Sequence, residues 1–338
     1  MQYEILIYIK RNKPFQIILM SQILLKNNIK NFKKSNILCI GDIILDEYVY
    51  GTAERISPEA PVPILLESTK KRQLGGVGNV ARNISAVGGN AHILTVIGQD
   101  SISKSILDLI KKEKNISSTF IKIKGYAAPV KKRFVSNKTQ LLRVDKENTN
   151  YMNFKIKEKF LKKFIQISKY FDVIIVSDYG KGLFKKEILS SILKHGKESG
   201  LRVLVDPKRN DFTFYSNAFM ITPNKKEISQ AFGKKFKNKN EIIKIGNEAL
   251  KKYNLKYLLI TLSEEGMILF KSNGHTHFIT AAKEVYDVSG AGDTVIAFVA
   301  LGLSINLGIE KCIKLANIAA GIVVGKSGTA VIDYKDIK

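Results

Sequence analysis

The stretch Asp287-Val288-Ser289-Gly290-Ala291-Gly292-Asp293 runs straight into an apolar helical pattern at 294–303. Small residues at 290–292 let backbone N–H groups converge where that helix starts. The unpaired N–H groups and the dipole of a helix N-terminus attract anions. Asp293 falls in the first turn, facing whatever anion the loop holds. This arrangement suits phosphoryl transfer: the loop steadies charge growing on a γ-phosphate while the carboxylate takes a proton from an attacking hydroxyl. An aspartate in a first turn is equally consistent with simple helix capping.

A second glycine-rich run, Leu74-Gly75-Gly76-Val77-Gly78-Asn79-Val80-Ala81, contains GxGxxA. A dinucleotide-binding turn needs a buried strand directly before it. Here Lys70-Lys71-Arg72-Gln73 precedes it, and the first strand lies far upstream at 37–40. The run reads instead as backbone exposed at a helix N-terminus for the approach of a polyol, with Asn79 donating and accepting hydrogen bonds. Gly321 through Ser327 is one residue short of a Walker A loop and follows a helical pattern, so it is not one. His275 and His277 lack a third metal ligand in sequence reach. Asn224-Lys225-Lys226-Glu227 places an amide and a carboxylate one turn apart at a helix start. Water-mediated Mg²⁺ binding and capping both fit that spacing.

These groups need a scaffold, and the 338 residues supply one of ordinary globular composition, 45% apolar and 25% charged. No apolar run is long enough for a bilayer-spanning helix. Cys39 and Cys312 form no CxxC pair, which suits a reducing compartment, and a cytoplasmic location is expected. The net charge of +25 comes from 55 basic residues, of which only 8 are Arg, spread along the whole chain. Readers of nucleic acid rely on Arg forks and a concentrated basic stripe. A generally basic surface is therefore expected, with no nucleic-acid or membrane partner.

Residues 1–34 show no clean period and no secretory pattern, and read as an N-terminal extension of doubtful order, with Met20 as an alternative start. From 35 to 338 the chain alternates buried strands (37–40, 93–97, 173–177, 203–206, 219–222, 258–262) with helical patterns (103–112, 154–168, 241–252). That rhythm predicts a mainly parallel sheet covered by helices on both faces. Segments at about 47–73 and 119–145 break it. Both read as antiparallel strands that form a small β-sheet lid.

Taken together, these motifs resemble the ribokinase-like (PfkB) family of sugar kinases. DVSGAGD is similar to that family's C-terminal motif and GGVGN to its N-terminal one. The blocks GDIILDEYVYGTAERISPEAPVPIL, SDYGKG, DPK, TPNKKE and NIAAGIVVGKSGT follow in the same order. They resemble the branch of the family that acts on a heptose 7-phosphate in ADP-heptose and lipopolysaccharide synthesis, and the block from Arg55 to Pro63 is the specific one. The resemblance implies an α/β ribokinase-like fold and ATP-dependent phosphorylation of the anomeric O-1.

The resemblance also implies site residues. Asp293 takes the position of the base, and Gly290, Ala291 and Gly292 that of the anion hole. Asn224, Lys225, Lys226 and Glu227 match the nucleotide and Mg²⁺ segment, and Thr261 and Gly266 a strand and turn near the adenine. Asp42, Asp46, Gly75, Gly76 and Asn79 fall where the family holds the sugar. Asp287 and Ser289 match part of a monovalent-cation (K⁺) site. Lys131, Arg133, Arg143, Lys181 and Lys208 are the expected ligands of the substrate phosphate. Ala127-Ala128-Pro129 stands where the family shows threonines, which removes any hydroxyl contact from there. A homodimer through the lid is expected. The chain has no HxGH, so adenylyl transfer is expected from a separate protein.

Overall fold

The computed structural model describes residues 23–333 and Asp336, apart from 138, 283 and 327. Strand β1 (Asn36–Gly41) is apolar and buried from its second residue on, as a strand covered on both faces must be. It pairs in parallel with β4 (Asn90–Ile97) on one side and β8 (Val173–Ser177) on the other, Cys39 lying level with Ile93 and Ile175. The sheet continues outward through β5 (Ile116–Lys122) beyond β4, and through β9 (Arg202–Asp206), β10 (Met220–Ile221) and β11 (Tyr257–Thr261) beyond β8. Two antiparallel strands, β12 (Met267–Lys271) and β13 (Gly274–Phe278), close that edge and make nine strands in all. The chain leaves β1 in opposite directions toward β4 and β8. A crevice therefore opens at the carboxyl ends of β1 and β8, where open α/β sheets bind ligands.

Helices cover both faces. The spacing that predicts a helix over 154–168 is met by α3 (Phe154–Ser168), which buries Phe160, Phe164 and Ser168 four residues apart. Further helices among the described residues are α1 (Val77–Ala86), α2 (Ser101–Lys112), α4 (Lys186–Glu198), α5 (Lys225–Phe232), α6 (Lys239–Lys252), α7 (Ala291–Ser304) and α8 (Ile309–Val323). α7 is apolar all round and is buried from Asp293 to Leu303, so it is a core helix with one polar end.

The small sheet forms separately, in the order β3-β2-β6-β7, from β2 (Ile43–Ile56), β3 (Pro63–Gly76), β6 (Val130–Ser136) and β7 (Thr139–Lys146). Each hairpin is antiparallel, but β2 pairs with β6 in parallel, Asp46 level with Lys131 and Tyr48 with Arg133. The expected span 119–145 therefore splits, since 119–122 belongs to the edge of the main sheet. Residues 1–22 lie outside the described residues. Residues 23–34 are helical and pack into the core instead of forming part of a detached extension: Leu25, Ile29 and Phe32 are buried. Phe32 meets Phe298 of α7 edge-on, with ring centroids 6.3 Å apart. Such an aromatic pair adds to plain area burial. Phe32→Ala is expected to cost about 3–5 kcal/mol of stability, measured by urea or thermal unfolding, whereas Phe154→Ala at an exposed position is expected to cost far less.

Candidate active site

Asp293 is 7% exposed in the first turn of α7. Its Oδ2 accepts a hydrogen bond of 2.7 Å from Asn79 Nδ2, and its Oδ1 accepts one from the Tyr179 hydroxyl. Burial pushes the Asp293 carboxyl up to about 6; the bonds from Tyr179 and Asn79 resist that rise, Asp46 adds to it, and Lys131 opposes it. Asn79 is itself held by neighbours: its carbonyl accepts from Asn83 Nδ2 at 2.9 Å, and Asn83 Oδ1 accepts from Thr294 Oγ1 at 2.9 Å. A buried polar chain thus locks α1 to α7 beside the carboxylate.

Gly290 caps α7 with a left-handed φ of +82°, and a Cβ there would press on Asn79 Nδ2 at 2.8 Å. Glycine at 290 therefore meets both needs, the backbone turn and the amide's approach. The N–H groups of Gly292 and Asp293 belong to the first turn of a fourteen-residue helix and have no partner within it. They stand at the end of the run 290–292 named in the sequence, where the Ala291 N–H is turned back to the Val288 carbonyl at 3.2 Å. The Asp293 side chain is thus no mere cap, because its oxygens are spent on two other segments.

On the other side of Asp293 lie β2 and the turn into α1. A Cβ on Gly75 would collide with the Asp46 carboxylate, and one on Gly76, at φ +59°, with the Asp42 carbonyl. The two glycines let the second strand run tight against those acids. Asp46 is 4% exposed and its Oδ1 accepts from Arg133 at 2.6 Å, with the Arg133 guanidinium 5.1 Å from the Tyr48 ring. Asp42 takes the backbone N–H of Lys181 at 3.0 Å and of Leu183 at 3.2 Å, so its carboxylate fixes the loop after β8. Burial pushes the Asp42 carboxyl up to about 6 against those N–H groups.

Of the five expected phosphate ligands, the structure groups some and separates one. Lys131 lies 5.3 Å over the Tyr179 ring. Burial lowers its pKa, as do the neighbouring Arg133, Lys181 and Arg143, while Asp46 opposes. Lys181 pairs with Glu147, and Arg143, on the outermost strand β7, pairs with Asp145 at 2.9 Å. Lys208 is engaged elsewhere, 3.3 Å from Glu227 Oε1.

A cleft of about 1030 Å³ opens on the far side of the α7 N-terminus. Asn224, Lys225, Lys226, Glu227, Thr261 and Gly266 all line it, together with Ala291 and Gly292. Asn224 and Glu227 form a full capping box at the start of α5, each side chain bonded to the other's backbone N–H at 2.9 Å. Glu227 Oε1 also meets Lys208 Nζ at 3.3 Å, and Glu227 lines the cleft. Asp206, at the end of β9, joins it there; burial and the charges of Asp293 and Glu227 hold the Asp206 carboxyl well above its usual range. Asp287 accepts the N–H groups of Ser289 at 2.8 Å and Gly328 at 3.0 Å, which ties the cradle loop to the loop after α8. His277 is bonded to the Glu265 carbonyl and Lys239, each at 2.7 Å.

Tyr179, Asp206, Asn83 and Thr294 are site residues that motif reading passed over. Tyr179 and Asp206 each sit at or just beyond the carboxyl end of a central strand, a position that by itself flags ligand contact in such sheets. Asn83 and Thr294 carry no local signal, since their partner is more than two hundred residues away.

Negative charge brought to the start of α7 would meet unpaired N–H groups beside a buried carboxylate. Moving a phosphoryl group onto a hydroxyl requires that pairing, and fold and site are those of a phosphotransferase. The family model for pfkB family carbohydrate kinases matches residues 34–335, and the chain belongs to that family, the sugar kinases. It is 36% identical to the bifunctional protein HldE of Paramagnetospirillum magneticum over 91% of this chain and 63% of the relative. For that of Sulfurimonas denitrificans the identity is 39% over 89% of the chain and 63% of the relative. The chain thus spans a little under two thirds of those relatives' length. Phosphofructokinase-2 from Escherichia coli, in complex with potassium, superposes with a TM-score of 0.74 at 18% identity, covering 90% of this chain and 96% of that one. A ribokinase-type structure from Agrobacterium tumefaciens gives 0.71 at 16% identity, covering 87% and 92%. Among the described residues no helix is long and apolar enough to cross a membrane.

If Asp293 takes the acceptor's proton, as the family resemblance implies, it does so only when ionised. Sugar-kinase kcat/KM is therefore expected to fall with unit slope below a pH of about 6, and Asp293→Asn to lower kcat by about 10²–10⁴-fold at neutral pH. A steady-state pH profile of both proteins checks this.

Proposed function

We propose that the protein transfers the γ-phosphoryl group of ATP to the anomeric O-1 of D-glycero-β-D-manno-heptose 7-phosphate, giving the 1,7-bisphosphate for ADP-heptose and lipopolysaccharide core synthesis. The observation that carries the reading is the buried Asp293 carboxylate at the junction of the α7 cradle with the Asp46–Arg133 recess. The Arg55–Pro63 block and the likeness to HldE proteins over about 90% of the chain support the choice of sugar.

In this reaction Asp293 accepts the O-1 proton as the O-1–Pγ bond forms and the bond from Pγ to the β-phosphate oxygen breaks, releasing ADP. An anomeric hydroxyl is more acidic than an ordinary alcohol, so a carboxylate whose pKa lies near 6 is a sufficient base once the reactants are aligned. The first-turn N–H groups of α7 take up charge on the transferring group. The large cleft has the volume of a nucleotide site, with Thr261 and Gly266 toward the base end. Glu227, through water, and Asp206 offer hard carboxylate oxygens suited to Mg²⁺, which would neutralise the phosphates. Asp287 and Ser289 are the proposed side of a K⁺ site. Lys131, Arg133, Arg143 and Lys181 are the proposed cations for the 7-phosphate, and the lid sheet the proposed dimer surface. A PfkB-type kinase for another sugar phosphate is the second reading.

ADP release with Mg-ATP is expected on the heptose 7-phosphate and not on fructose 6-phosphate or ribose. Turnover on fructose 6-phosphate alone would move the protein to another pathway while keeping fold and base. Lys131→Met is expected to raise the sugar-phosphate KM by about 10–100-fold, the value of one charge-assisted hydrogen bond, with the ATP KM nearly unchanged. An unchanged sugar KM removes Lys131 from the phosphate site.

A further inference from the structure

We propose that Tyr179 is a positioning residue for Asp293, its hydroxyl holding the carboxylate ionised and turned toward the acceptor. The proposal rests on Asp293 being the base. Asp293 receives donors from two directions, Asn79 Nδ2 on Oδ2 and the Tyr179 hydroxyl on Oδ1. Two donors on separate elements fix the rotation of a carboxylate, which neither could do alone. Each oxygen keeps a further lone pair for the proton of the acceptor.

Tyr179 is pinned from below. Asp178 is buried, and its carboxylate accepts from Arg209 Nε and from the Tyr215 hydroxyl, each at 2.8 Å. The backbone on either side is fastened by Asp178 N–H to the Asp206 carbonyl at 3.1 Å and Gly180 N–H to Asp178 Oδ1 at 2.9 Å. With the backbone on both sides so anchored, the base of the Tyr179 side chain stays fixed if the carboxylate turns. Burial and the adjacent Asp293 raise the Tyr179 phenol well above its ordinary pKa, so it remains a donor throughout the working range. The charged groups facing Asp293 from the other packed elements are Asp46 and Lys131 of the small sheet and Asp206 of β9. Lys131 lies over the Tyr179 ring, so the same side chain that holds the base also seats a cation of the small sheet.

The test is Tyr179→Phe, which keeps the ring and removes the hydroxyl. Two readouts are followed: the Asp293 carboxyl titration, by ¹³C NMR of aspartate-labelled protein with Asp293→Asn identifying the resonance, and the acid limb of kcat/KM. Loss of a hydrogen bond that favours the charged form should move both upward by about one to two pH units, with kcat above the limb little changed. Should the variant fail to fold, 3,5-difluorotyrosine at position 179, a near-isostere with a more acidic phenol, should move both downward. An unmoved titration in an active kinase overturns the positioning role alone. A titration that moves while the kinetic limb stays put removes Asp293 as the base, and the positioning role with it.

Discussion

The structure is organised around one uncomfortable charge. Asp293 is the only charged residue of α7, a helix whose middle turns are wholly apolar and buried. A carboxylate taken out of water costs several kcal/mol unless donors replace the lost solvent. Here the donors come from α1 and from the loop after β8, and α1 is tied back to α7 through Asn83 and Thr294. The requirement explains why GGVGN, SDYG and DVSGAGD converge although they are spread over more than two hundred residues of chain. Each contributes one side of a single solvation shell made of protein. A shell that leaves the carboxylate raised to about 6, not lower, also keeps it basic enough to accept a proton.

The same logic runs through the small sheet, where period-two alternation decides which acid serves which face. Asp46 and Glu47 are neighbours on β2 and project to opposite sides. Asp46 faces the active site and is met by Arg133. Glu47, equally buried, faces outward to Lys70, Arg72 and Lys132, at 3.2, 2.8 and 3.1 Å. Although burial works against the charge, hydrogen bonds from those three side chains hold the Glu47 carboxyl below its usual range. A one-residue slip of β2 would exchange the two acids and undo both clusters, so charge as well as hydrophobicity enforces the register.

Much of this was legible in the sequence, and the part that was not has a common cause. Six parallel strands of the main sheet (β1, β4, β8, β9, β10 and β11) and α3 announced themselves because burial on a face leaves a local period, and the motifs did so because glycine at a tight approach leaves a local mark, as at Gly75, Gly76 and Gly290. The fate of each cation depended instead on a partner set by tertiary structure. Lys208, grouped with Lys131 in the sequence, pairs with Glu227 at the nucleotide-sized cleft. Capping and metal binding at Asn224–Glu227 could not be separated by spacing, and the structure shows the capping box formed by two residues that also line the cleft. The parallel β2–β6 pairing was equally hidden, since it joins two hairpins that each look self-sufficient. Residues 23–34 were misplaced for a related reason: a segment that contributes only Leu25, Ile29 and Phe32 to a large core need show no period of its own.

The excess of lysine has a bearing on how a phosphorylated sugar would be held. A net charge of +25 draws any polyanion toward the surface, but a diffuse field selects nothing. Selection falls to cations inside the recess, and most of those are already committed: Arg133 to Asp46, Lys181 to Glu147, Arg143 to Asp145. A ligand phosphate competing for a paired cation must strand the carboxylate it displaces, which is costly at buried Asp46 and cheaper toward the rim. Among the described residues Lys131 is held by no carboxylate and has only the Tyr179 ring beneath it. Its lowered pKa reflects burial first, with Arg133, Lys181 and Arg143 adding to the fall against the pull of Asp46. An incoming phosphate would relieve that imbalance, whereas at Arg133 it would create one. Of these four cations Lys131 is therefore the one with most to gain from an anion, because an anion there strands no carboxylate.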